Sequence, residues 1–328
     1  MIMFNMPKLF AALIVGTFTF AMAGLAHGAQ GKVAPGYPDA RAAEAEEIVV
    51  VGRRSGVPIW RVQSGQSNLV LVGTINGVTK DTKWDPTSLV EALRRADRVM
   101  FPQMQRVKAS PLAMLGYLAK WRRQATLPEK QSLANYLTAE QFQRLVRLQR
   151  KGIAKRGSEK THPLHLAMNL RATAKGRVGY GEDPDQYVMR AIGKYKLRLL
   201  PIQKRAAKPL ANELFEGSPS RHVPCLVDAI TMAEAGPAAV ALRSQDWARG
   251  RVAEVLRSPA EKVYQSCFPA DLAREAREKA AFHSNIARVL TEPQLTVAVL
   301  DLHSLAGRGG VLDSLVAEGH HVQGPQWK

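Results

Sequence analysis

Several groups of side chains in this 328-residue chain have the right types to do chemistry, and their spacing sorts them. His162 and His165 stand three apart, which puts two imidazoles on one helix face where they could share a metal ion. Pro163 lies between them with no acid nearby, so a helix start is the better reading. His320 and His321 are adjacent; on a strand they point to opposite faces and cannot chelate one ion together. The run Gly307, Arg308, Gly309 and Gly310 precedes a helical pattern. Its backbone N–H groups could cradle a phosphate or sulfate, or the run could be a plain strand-to-helix turn. No Gly-x-Ser-x-Gly elbow and no phosphate-binding loop of the Gly-x-x-x-x-Gly-Lys type occurs, which removes the commonest hydrolase and nucleotide readings.

The elements that must position these residues follow from periodicity. Residues 58–62 and 69–75 read as two short strands joined by a turn around Gly65, the second ending at a loop that carries Asn76. Leu89, Ala92, Leu93 and Ala96 share one helical face within residues 88–98, and a strand follows at 98–101. The middle is helical. Residues 138–141 form a capping box ahead of one helix, and His165 opens onto another through Ala174. Asp183 caps a third, with Pro184 at its first turn and an end near Gly193. A strand at 196–200 ends at Pro201, and residues 223–290 are helical with breaks near Gly236, Gly250, Ser258 and Pro269. The chain closes with a strand at 295–300, the glycine loop, a helix at 311–317 and a strand around 321–322. This order predicts an α/β (α+β) fold: a central mixed sheet built from N- and C-terminal strands, with a largely helical middle or cap region. Asn76 and His303 each sit just beyond a strand, so one sheet would bring them together.

The N-terminus sets the expected compartment. Lys8 precedes an apolar run at residues 9–23, and small residues follow to Gly28, the layout of a secretory signal peptide over 1–28. An uncleaved N-terminal anchor is the alternative. Residues 29–56 read as a flexible linker, and a main domain occupies 57–328. Within the linker, residues 47–52 resemble the short strand near the mature start of some outer-membrane receptors, but nothing downstream looks like a membrane barrel, so an edge strand or sticky linker is the better reading. No further run is apolar enough to cross a bilayer, so no transmembrane segment is expected after signal removal. A periplasmic or secreted location makes nucleic acid an improbable target, although Lys+Arg 46 against Asp+Glu 28 gives a net charge of +18. An anionic envelope surface or an acidic partner fits that charge better, as do solvated helix faces with no dedicated ligand. Cys225 and Cys267 are the two cysteines, about forty residues apart, and export favours a disulfide between them. They lack Cys-x-x-Cys spacing, and no further ligands cluster near them for zinc.

The opening strands with Gly73 and Asn76, Trp84, the helix through Leu89, Asp185 to the strand beyond it, Trp247 through Gly250, and His303 with Gly307, Gly310 and Gly319 resemble the TraB/GumN family. The resemblance covers most of residues 57–328. It implies a metal-dependent hydrolytic or peptidase-like centre, as in the related Tiki proteases, built from two Gly-x-x-His loops and a glutamate after a strand. Carried over by position, Asn76 stands at the first histidine, and the glutamate after residues 99–101 falls at Pro102 with Gln103 beside it. His303 survives in a loop that has lost its glycine, with Asp301 as an acidic substitute. His303 and Asp301 are thus the catalytic candidates, and Gly73, Asn76, Gln103, Gly307 and Arg308 the candidate cleft. A catalytic metal wants three protein ligands, so no metal ligand set and no cofactor is expected. The reading is a catalytically degenerate member acting as a binding or envelope-associated module. The alternative is a metal-dependent hydrolase with a site rebuilt around His303 and a weakly bound divalent ion.

Overall fold

A computed structural model describes residues 56–104, 125–205, 218–267 and 272–328, with residues 115, 116, 119, 122 and 123 between them. The side chains of 102–104, 175–178, 201–205 and 272–279 lie outside that description. The expected signal segment, the linker and residues 47–52 fall outside it too, apart from Gly56.

Six strands form one mixed sheet. They are β1 (Ile59–Ser64), β2 (Ser67–Thr74), β3 (Arg98–Met104), β4 (Arg198–Arg205), β5 (Leu295–Asp301) and β6 (Val322–Gln323), in the order β4-β3-β5-β2-β1-β6. β1 and β2 make the hairpin expected around Gly65, whose φ is +57°. β5 lies between β2 and β3 and is parallel to both. The run at β2 and β5 is buried along nearly its whole length, as a strand flanked on both sides and covered on both faces requires.

Two strands run further than their prolines suggest. β4 continues through Pro201 because it is the sheet's edge, where a missing N–H costs no ladder bond. β3 continues through Pro102, and its register with β4 shifts between Phe101 and Gln103. Its pairing with β5 covers only Arg98 to Met100, so Pro102 sits where the ladder is already one-sided.

The helices are α1 (Thr87–Arg95), α2 (Ala139–Arg150), α3 (Pro163–Val178), α4 (Pro184–Tyr195), α5 (Val223–Ala248), α6 (Val252–Arg257), α7 (Pro259–Ser266), α8 (Leu272–Thr291), α9 (Leu302–Ala306) and α10 (Val311–Ala317). Thr138 caps α2 reciprocally: its Oγ1 accepts from Gln141 N at 3.2 Å, and its own N–H donates to Gln141 Oε1 at 3.0 Å. α5 bends at Gly236, whose φ of 75° and ψ of −173° leave the helical region just before Pro237. With the turn before it, α5 is long and apolar enough to span a membrane by length and composition, where the sequence reading expected no further such run. Here it packs against α2, α3 and α7, and its buried residues include Arg243 and Asp246.

The apolar residues form two cores. One covers the sheet with α1, α4, α6 and the residues of α9 and α10; the other fills the space among α2, α3, α5 and α7. α5 belongs to both, since Leu226 and Ile230 enter the second core and Trp247 the first. Cys225 and Cys267 are buried in the second core at disulfide distance, 2.07 Å between sulfurs.

The first core closes over Gly73. Its carbonyl accepts a bond from Trp247 Nε1 at 2.9 Å, and its N–H donates to Pro58 O at 3.0 Å. A Cβ on Gly73 would lie 2.5 Å from Leu302 Cδ1 and 3.1 Å from the Trp60 ring. Both neighbours are fully buried, so neither can withdraw into solvent. Gly73→Ala is therefore expected to destabilise the fold by about 1–3 kcal/mol through overpacking. In urea unfolding, Gly73→Ala combined with Leu302→Ala should lose less than the two single losses added together; strict additivity would refute the contact as the cause.

Candidate functional site

The carboxyl ends of parallel strands are where α/β sheets present ligand-binding loops. β2 and β5 end in register, with Thr74 opposite Asp301. Asn76 and His303 each lie two residues beyond that pair, so the sheet delivers both to the same edge, as the strand order implied. What each then does differs.

The loop after β2 is fastened down. Gly77 takes a φ of +80°, and a Cβ there would lie 2.5 Å from the Tyr180 ring, so the position needs glycine twice over. Val78 N donates to Asp183 Oδ1 at 3.2 Å, and Thr79 N donates to Ser244 Oγ at 3.2 Å. Asp183 does hold the cap position of α4, yet its carboxylate serves this loop instead of its own helix. Asn76 is half-buried; its amide donates to the Tyr264 hydroxyl, and its backbone carbonyl accepts from Arg243 Nη1 at 3.2 Å.

Around Asn76 lies a polar seam between the two cores. Arg243 on α5 is 3% exposed, and its Nε and Nη2 grip Glu261 Oε2 at 2.9 and 2.5 Å. Arg171 on α3 is 5% exposed and sits over the Tyr264 ring, 4.5 Å from its centroid. Burial pushes the Arg171 guanidinium below its usual pKa, and the charge on Arg243 adds to this. Burial also pushes the Tyr180 hydroxyl up to about 12 and the Tyr264 hydroxyl higher still, so both stay protonated donors at neutral pH. The periodicity reading missed these residues, although it held a signal. Arg171 interrupts the apolar face of Ala167, Leu170 and Ala174, and Arg243 lies between Val240 and Trp247 on theirs. A charge on a buried stripe needs a partner that only the fold supplies.

The residues singled out beforehand are placed as follows. Asp301 is exposed and caps α9, accepting from Ser304 N at 2.9 Å. His303 is exposed within α9, its ring lying against Gly307, where a Cβ would be 2.8 Å from Nδ1. The glycine loop engages its own amides: Gly307 N with His303 O and Gly310 N with Gly307 O, both at 2.8 Å. Gly309 N donates to Asp313 Oδ2 at 2.9 Å, so a carboxylate of this chain sits where a bound anion would. Arg308 lines a separate shallow cavity of about 470 Å³ with Leu256, Ala306 and Trp327. Gly73 is packing, as described above. The side chain of Gln103 lies outside the described residues. Burial pushes the Asp185 carboxyl up, with the charges of Asp183 and Asp301 contributing.

The divalent metal implied by the resemblance does not fit this donor set. Asn76 is tied to Tyr264, Asp301 is a helix cap, Pro102 has no carboxylate, and two guanidiniums near Asn76 repel a dication. Among the described residues no group of three or more His, Cys, Asp or Glu side chains is placed to hold a metal ion. His162 and His165 do approach each other, and His222 joins them, with ring centroids 6.1 and 5.4 Å from His162. His162 starts α3 as expected, its carbonyl accepting from Leu166 N at 3.0 Å.

Two outcomes test these environments. Burial, helped by the other two histidines, lowers His165 to about 4. A histidine in the unfolded chain titrates near 6.5. Between those values the unfolded state binds the extra proton, so stability is lost as pH falls from about 6.5 to about 4. The urea midpoint should drop across that range, and His165→Gln should flatten part of the slope; an unchanged slope would refute the assignment. Separately, Asn76→His places an imidazole beside Arg243 and Tyr264. Its pKa, followed by NMR, should fall below about 6.5. A higher value would show that Glu261 and Asp183 outweigh the guanidiniums.

No curated protein and no solved structure matches the chain significantly. The sequence profile of the TraB/PrgY/gumN family matches residues 58–324, from the first residue before β1 to just past β6. That span holds the whole sheet, the β2 loop with Asn76 and the helix with His303, and the chain belongs to the TraB/PrgY/gumN family.

Proposed function

We propose that this chain is an envelope protein of the TraB/PrgY/gumN family that has lost a family-type metal centre and works as a binding module. The observation that carries the proposal is the engagement of Asn76, whose amide and carbonyl are held by Tyr264 and Arg243 at the strand edge. A histidine at that place would be a metal ligand; an amide in a guanidinium-lined seam is a hydrogen-bonding group. Export is supported by the signal-like layout of residues 1–28 and by the disulfide-distance pair Cys225 and Cys267, which suits an oxidising compartment. The positive charge suits an anionic envelope surface or an acidic partner.

The test is metal analysis of protein purified from the periplasm without chelators, repeated on His303→Ala. The expected result is substoichiometric zinc, manganese and iron in both proteins, with unchanged thermal unfolding, since His303 is exposed. Stoichiometric metal that disappears in His303→Ala would overturn the proposal and support a hydrolase rebuilt around that residue.

A further inference from the structure

The cavity beside Arg308 has walls that the chain itself holds in place. On α6, Ala253, Leu256 and Arg257 are spaced three and four apart, so they share one helix face, and that face lines the cavity. Ala306, at the end of α9, lines it with a single methyl group. Trp327 supplies a half-buried aromatic wall. Its Nε1 donates to Asp313 Oδ1 at 3.0 Å, and just upstream Pro325 O accepts from Trp60 Nε1 at 2.8 Å. Asp313 Oδ2 also accepts from Gly309 N, so one carboxylate ties the tryptophan wall to the loop that carries Arg308.

The walls are apolar and the charge around them is positive. The Asp313 carboxylate is answered by Lys328 Nζ at 3.2 Å. Arg257 pairs with Glu254 on its own helix at 3.2 Å, both side chains exposed, a contact that water screens. Arg308 is exposed and makes no ion pair among the described residues. A volume of about 470 Å³ falls within the range of small-molecule sites, which join apolar walls to a few polar groups.

We propose that this cavity binds an amphiphilic anion, an acyl or aryl body carrying one oxyanion head. The body lies against Leu256, Ala306 and Trp327, and the head meets Arg308 with Arg257 alongside. A planar guanidinium matches two oxygens of a carboxylate or a phosphate. An amphiphilic cation would meet like charge, and an inorganic anion would leave the apolar walls wet. The inference goes beyond the binding-module reading and does not depend on the metal question, since no residue of the Asn76 loop lines the cavity.

The experiment titrates the purified chain with octanoate and with octyl phosphate, below their micellar concentrations and at matched ionic strength. Binding is followed by calorimetry and tryptophan fluorescence. Acetate supplies the head without the chain, and 1-octanol the chain without the head. The expected result is saturable binding of an octyl anion at one site per chain, with acetate and octanol weaker by about tenfold or more. The tighter of the two anions assigns a carboxylate or a phosphoryl head. Arg308→Gln, an exposed change that leaves the fold intact, should weaken the octyl anions by about tenfold and leave octanol binding unchanged. Trp327→Phe keeps an aromatic wall and should lose the fluorescence response. No saturable binding, octanol as tight as octanoate, or Arg308→Gln equal to wild type overturns the inference. A full fluorescence response in Trp327→Phe also overturns it, because the ligand then sits elsewhere. Metal content, read separately, decides the earlier reading.

Discussion

The bond from the Trp247 indole to the Gly73 carbonyl is the constraint on which the rest of the molecule depends. It is buried, it joins the long helix to the sheet, and it lands where β2 and β5 finish together. Gly73 has no side chain, so Leu302 and Leu305 of the short helix α9 can close over it while Trp60 presses from the hairpin. Trp247 in turn stacks edgewise on Trp84 at 5.4 Å, and Trp84 on Tyr187 at 5.1 Å. One glycine thereby fixes the relative positions of the hairpin, the C-terminal segment and the helical layers. Asn76, three residues later in the loop after β2, inherits that placement.

The two cores make different demands on α5. Its residues from Cys225 through Val240 pack in the disulfide-bearing core, on both sides of the bend at Gly236, and Trp247 and Ala248 at its end pack in the sheet core. Between Val240 and Trp247 the apolar contact gives way to Arg243 and Ser244, with Glu261 and Arg171 from the neighbouring helices. Replacing such groups with apolar ones would often cost nothing in stability. They lie beside the loop that β2 delivers at the end of the sheet.

Much of the fold was legible in the sequence, because periodicity and punctuation carry it. The hairpin around Gly65, the capping box at Thr138, the break at Gly236 and the cap at Asp183 all stand where residue types required them. The strand ends at Pro102 and Pro201 were misplaced, since a proline is read as a stop until the strand is known to be at an edge or paired on one side. The delivery of Asn76 and His303 to one edge of the sheet followed from strand order. Their roles did not. Asp301 as a cap and His303 against Gly307 depend on a five-residue helix too short to show a period. Arg171 and Arg243 find Tyr264 and Asn76 across separations that no local pattern encodes, and the same is true of His222 beside His162.

The position of β5 has a consequence for how the chain acquires its structure. The hairpin and β3 with β4 can each form early from contacts available to them, but β2 and β3 are not neighbours; β5, from residues 295–301, fills the gap between them. Until that segment arrives the two half-sheets present open parallel edges, and the long-range closure must wait for nearly the full chain to be available. A ribosome or an export channel that releases the polypeptide from its N-terminus therefore handles an unfinished sheet for most of the passage, and the last tenth of the sequence turns two pieces into one.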